Sequence, residues 1–87
     1  MKEGVLKNGF RYRIPDEKLD DYELLELLAE VDSGNNTLII KVAPYLLGKE
    51  QTDKLKEHLR GENGVVSATK MFEAIGEILT GSKEGKN

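Results

Sequence analysis

Few side chains in this sequence are placed to do chemistry. The only histidine, His58, sits among Lys54, Glu57 and Arg60. There is no second histidine and no cysteine to share a metal or act as a catalytic partner, so His58 reads as a solvated surface residue. The carboxylates Asp16, Glu17, Asp20, Asp21 and Glu23 are numerous enough to suggest a divalent-cation loop. Capping of a following helix accounts for them more simply, because acidic groups satisfy and complement the free N–H groups of a first turn. Asp32-Ser33-Gly34-Asn35-Asn36 looks like the start of a calcium loop, but its twelfth position is Ala43, where a bidentate glutamate is required. Ser67 has no nucleophile elbow and no partner base, and reads as a helix cap. With no cysteine there is no thiolate nucleophile, disulfide or cysteine-held metal. The residues point to a non-enzymatic chain with no cofactor and no metal site.

One cluster could bind nucleic acid. Lys7, Arg11 and Arg13 alternate with Phe10 and Tyr12, and aromatic strands beside arginines can stack single-stranded bases. Strand alternation, however, sends the aromatics and the arginines to opposite faces. A net charge of −3 also argues against general affinity for phosphate.

The elements that would position these residues make a mainly α, small helical domain of about four helices with an N-terminal β-hairpin at about 4–14. Lys7-Asn8-Gly9-Phe10 predicts a hairpin with a two-residue type I′ turn, setting Val5 opposite Tyr12 and placing Val5, Phe10, Tyr12 and Ile14 on one apolar face. Pro15 ends it. Asp20 as cap, Glu23 at the third position and a Leu19–Leu24 staple predict a helix over 21–32 that buries Leu24, Leu25, Leu27, Leu28 and Val31. Over 37–47 the β-branched residues favour a strand, while the spacing of Leu38, Ile39, Val42, Tyr45 and Leu46 fits a helix. The lack of strict alternation favours the helix, capped by Asn36, bent or broken near Pro44 and punctuated by Gly48. An exposed helix follows over 49–60, then a turn at 61–64, a short extended link and a helix over 68–80 opened by Ser67 and ended by Gly81. This is one domain over 1–81, with 82–87 read as a disordered tail.

The composition, 38% apolar and 33% charged, is that of a globular chain. The stretch 38–47 is interrupted by Lys41 and Pro44 and falls short of the roughly 20 residues of a membrane span. No apolar leader follows the N-terminal charges, so the expected location is cytoplasmic. Three helices and a hairpin each carry an apolar face in a chain with few residues to cover them, which suggests a partner groove or a homo-oligomer. The same faces could equally satisfy one another in a monomer.

The order of pieces resembles the small tail assembly chaperones of long-tailed bacteriophages and prophages of Gram-positive bacteria. The resemblance is carried by Leu6-Lys7-Asn8-Gly9-Phe10, by Leu19-Asp20-Asp21-Tyr22-Glu23-Leu24-Leu25-Glu26-Leu27-Leu28, by Leu46-Leu47-Gly48-Lys49-Glu50-Gln51, by Leu55-Lys56-Glu57-His58-Leu59-Arg60, and by Val66-Ser67-Ala68 leading into the last helix. It implies binding to the tape measure protein and recruitment of the major tail protein during tail assembly in the host bacterial cytoplasm, without catalysis. For the partner-binding surface, the adaptable side chains of the last helix, Met71, Phe72, Ile75 and Leu79, are the candidates. The alternative class is a small phage-encoded regulator that binds nucleic acid through the hairpin or the last two helices. Glu73 and Glu77 against a lone Lys70 weigh against the second of these.

Overall fold

The computed structural model describes residues 1–84, apart from the side chains of Asn36 and of 81–84. It is mainly α, with four α-helices and an N-terminal antiparallel hairpin. Strand β1 is Lys2–Val5 and β2 is Arg11–Ile14. They pair Val5 with Arg11 and Gly4 with Tyr12, one residue away from the predicted register. The turn is the reason. A type I′ turn needs positive φ at both central residues, but only Gly9 has it, at 93°. The Leu6 carbonyl accepts the Gly9 N–H, the Leu6 N–H donates to the Phe10 carbonyl, and the Asn8 side chain accepts the Phe10 N–H, which together make a three-residue loop with a glycine bulge. A one-residue slip reverses the faces of β1, so Leu6 points inward with Phe10, Tyr12 and Ile14 while Val5 is exposed beside Arg11.

Pro15 closes the hairpin and precedes a one-turn helix not expected from the sequence, α1 (Asp16–Leu19), which Asp20 terminates. Asp21, not Asp20, caps α2 (Tyr22–Asp32), accepting the N–H groups of Glu23 and Leu24 at 2.8 and 3.3 Å. At its other end the Gly34 N–H reaches the Val31 carbonyl and the Asn35 N–H reaches that of Glu30, which closes α2 with a Schellman motif.

After a 3₁₀ turn at Asn36–Leu38 comes α3 (Ile39–Leu59). The helices expected over 37–47 and 49–60 are both present and meet at the Gly48 break, whereas the bend or break expected near Pro44 is absent, since no residue there leaves helical angles. Gly48 alone has non-helical angles, φ 84° and ψ 163°, in a region closed to residues bearing a Cβ. The carbonyls of Leu47 and Gly48 at the break are taken up by Gln51 Nε2 and Thr52 Oγ1. The predicted Asn36 cap falls on a side chain outside the described residues. The turn at 61–64 and the extended link are as expected, pinned by an antiparallel bridge between Arg60 and Val66. Ser67 Oγ accepts the Lys70 N–H and starts α4 (Ala68–Glu84). This helix runs past Gly81, because a glycine weakens a helix by about 1 kcal/mol without forbidding it. Residues 82–84 of the expected tail are therefore helical, and 85–87 lie outside the described residues.

The hairpin's inner face meets Leu24, Leu46, Leu47, Leu55, Ala74 and Ile78 in the main core. A smaller cluster of Val42, Ala43 and Ile75 packs with α2, and Leu28 and Leu79 touch both. No helix among the described residues is long and apolar enough to cross a membrane.

Candidate functional site

The residues that could do chemistry are spread over the molecule and tied into its structure. His58 is exposed but not free. Its Nε2–H donates to the Asn8 carbonyl at 2.9 Å, which requires the proton on that nitrogen, and its ring lies 5.6 Å from that of Phe10. It clasps the hairpin turn to the end of α3. The carboxylates likewise go separate ways: Asp16 pairs with the N-terminal amine at 2.9 Å, and Asp21 serves as a cap. Among the described residues, no group of three or more His, Cys, Asp or Glu is placed to hold a metal ion.

Asp21 does a second job that its sequence position does not announce. Its Oδ1 caps α2 while its Oδ2 accepts the Tyr45 hydroxyl at 2.7 Å, and Lys18 Nζ lies 4.0 Å from the centre of the Tyr45 ring. The Tyr45 hydrogen bond, then the backbone N–H groups and Lys18, hold the Asp21 carboxyl below its usual range despite some desolvation. The same bond, with desolvation and the charge of Asp21, pushes Tyr45 up to about 12. This network fixes α1, α2 and α3 against one another. At the far end of α3, Glu57 is held low by its hydrogen bonds from Arg60, whose Nη1 also donates to the Gly64 carbonyl.

The basic–aromatic cluster splits as alternation requires. Phe10 and Tyr12 are buried and Arg11 and Arg13 are exposed, so the aromatics offer no stacking platform. Burial, with the nearby Glu77 charge, raises the Tyr12 phenol above its ordinary value. An open cleft of about 1130 Å³ runs between the hairpin, the end of α3 and α4. Lys7, Arg60 and Lys70 line it with Glu73 and Glu77, charges of both signs, and Glu77 is committed to the Lys7 N–H at 2.9 Å.

The four residues proposed for a partner surface do not share one exposed face. Ile75 is buried, Met71 and Leu79 pack half-buried against the core, and Phe72 alone is exposed, at 46%. The face turned to solvent lies elsewhere. On α2, Tyr22 and Leu25 are 73% and 62% exposed, which corrects the placement of Leu25 in the buried stripe. The signal was available in the sequence. At 100° per residue, Leu24, Leu27, Leu28 and Val31 centre on one side, whereas Tyr22, Leu25 and Ala29 fall within about 60° of one another on the other. Compared with known protein families, with curated proteins and with solved structures, the chain matches none.

Proposed function

We propose that the chain is a non-enzymatic assembly factor that binds a helical protein partner. Following the resemblance of its sequence, we assign the partner as the tape measure protein of a long-tailed bacteriophage or prophage, with the major tail protein recruited alongside it in the host bacterial cytoplasm. The observation that carries this reading is the distribution of apolar side chains. The core is closed, yet Tyr22, Leu25, Ile40 and Phe72 stand out from three helices with nothing among the described residues to cover them. Helix faces of this kind suit recognition of another helix. Co-expression with the products of the neighbouring genes tests it: a tape measure or tail tube protein is retained on the tagged chain, and retention of neither overturns the reading.

One observation favours the phage-encoded nucleic-acid regulator as a second reading. Arg11 and Arg13 are exposed, have no ion-pair partner among the described residues, and border a groove that also takes in Lys49 and Lys54. Those two lysines are already paired with Asp53 and Glu50. A salt-dependent gel shift abolished by Arg11→Glu would establish this alternative.

A further inference from the structure

Eight of the 16 acidic residues fall between Asp16 and Asp32, where Lys18 is the only base. That segment carries −7 in a chain whose total is −3, so the rest sums to +4. The outer face of α2 collects much of this charge. Glu23, Glu26 and Glu30 line one flank of the Tyr22–Leu25–Ala29 row, and Asp32 stands on the other. All seven residues are exposed, and none of the four acids has an ion-pair partner among the described residues. Elsewhere the surface acids Asp53, Glu50 and Glu57 do find lysine or arginine within their own helix or at its end.

We propose that the outer face of α2 is the docking surface for a basic amphipathic helix of a partner protein. The apolar row has the i, i+3, i+7 spacing that a helix laid alongside it fills, and the three glutamates repeat at the same spacing. A partner helix with leucine-like residues on one stripe and lysine or arginine along its border neutralises the acidic row while covering Tyr22 and Leu25. The unscreened negative field of the segment also steers such a partner to this face. A second copy of the chain does not supply that helix. Of the outward apolar residues outside α2, Phe72 has Glu73 beside it, Val5, next to Arg11, lies on a strand, and Ile40 has Lys41 beside it but no exposed apolar row, Ala43 and Leu47 being buried. The inference rests on the reading above of a chain that acts on a helical partner, and adds the face and the charge of that partner.

The probe is a synthetic helical peptide of roughly 18 leucine and lysine residues with the leucines on one face, set against its leucine–glutamate counterpart. Titrated into the ¹⁵N-labelled chain, the lysine peptide shifts amide resonances over 22–32. Its affinity falls at least about tenfold in a Leu25→Gln, Glu26→Lys double variant, and also as salt is raised from about 0.05 to about 0.5 M. Val65→Gln, at an exposed apolar residue on the extended link, leaves it unchanged, and circular dichroism verifies that each variant is folded. Equal binding of the glutamate peptide, shifts centred away from α2, or an unaffected double variant overturns the proposal. So does self-association that both Leu25→Gln and Arg11→Glu abolish, since the occupant is then the hairpin of a second copy. The two readings fail separately. Tail proteins retained equally by the double variant refute this surface alone, whereas peptide docking on α2 with no tail protein retained refutes the tail assignment alone.

Discussion

The outer edge of β2 and the outer face of α2 both look toward solvent, and the chain treats them in opposite ways. In this register Arg13 turns its backbone N–H and carbonyl away from β1, and the side-chain amide of Gln51 meets both at 2.7 Å. An unpaired strand edge invites another strand, so the plug at Arg13 hinders pairing of a second chain along β2. On α2 no equivalent cover exists among the described residues: Tyr22 and Leu25 stand out, and the flanking glutamates have no ion-pair partner there. Closing the backbone edge while leaving a side-chain row open separates unwanted β-association from a helix-sized docking face.

If the hairpin region is the closed half of the molecule, its inward residues set the stability. Ile14 is fully buried in the main core, to which three helices contribute side chains. Ile14→Ala is expected to cost about 2–5 kcal/mol, read from the urea midpoint, with the cavity it leaves adding to the lost burial. A loss below about 1 kcal/mol would show the hairpin to be loosely docked and would break the comparison at its firmer side.

Removing the plug is the next largest effect. Gln51→Ala deletes two exposed hydrogen bonds to Arg13, whose groups water can replace, and a part-buried one to Leu47, so the expected loss is about 1 kcal/mol. The sharper readout is association. Sedimentation of the variant should become concentration-dependent as the β2 edge opens, while the wild type's does not.

How far these features were readable from the sequence depends on how local their causes are. The hairpin, the start of α4 at Ser67 and the span of α2 follow from signals within a few residues. The strand register did not, because Asn-Gly supports both a type I′ turn and a glycine bulge, and burial of Leu6 in place of Val5 selects between them. Asp21 displaced Asp20 as the cap because a tyrosine 24 residues away holds its other oxygen, and Gln51 reaches Arg13 across 38 residues. No window of sequence contains either pair. The docking face was legible in principle from the angular position of Leu25, but a leucine-rich helix is easily read as apolar on every side.

The Asp21–Tyr45 bond ties the start of α2 to α3 and gives a pH signature. Asp21 is lowered in the folded state, so its contribution is present above the ordinary carboxylate range and lost as pH falls through its folded value. Tyr45 is raised, so its contribution is present below the ordinary tyrosine value of 10.0 and lost as pH rises toward about 12. Tyr45→Phe removes the leading cause of both shifts. The stability gap between wild type and variant should be widest between these limits and close at either end. A gap independent of pH would assign the effect of Tyr45 to packing alone.

The smallest expected change bears hardest on the open face. Leu25→Gln exchanges an exposed side chain for one of similar length on a helix whose opposite side makes the core contacts. Its effect on the urea midpoint should correspond to no more than about 0.5 kcal/mol, the range of ordinary surface substitutions. The same change should weaken binding of a basic helix severalfold, because a polar side chain in the middle of a buried row loses apolar contact and must give up water. Leu24→Gln, one residue earlier and facing the core, should do the reverse, unfolding the protein before any binding is lost. Two neighbouring leucines with opposite effects on stability and docking would mark α2 as the boundary between the part of the chain that folds and the part that recognises. If Leu25→Gln instead destabilised the protein as Leu24→Gln does, its side chain would have to be covered in solution, and the face would be closed like the edge of β2.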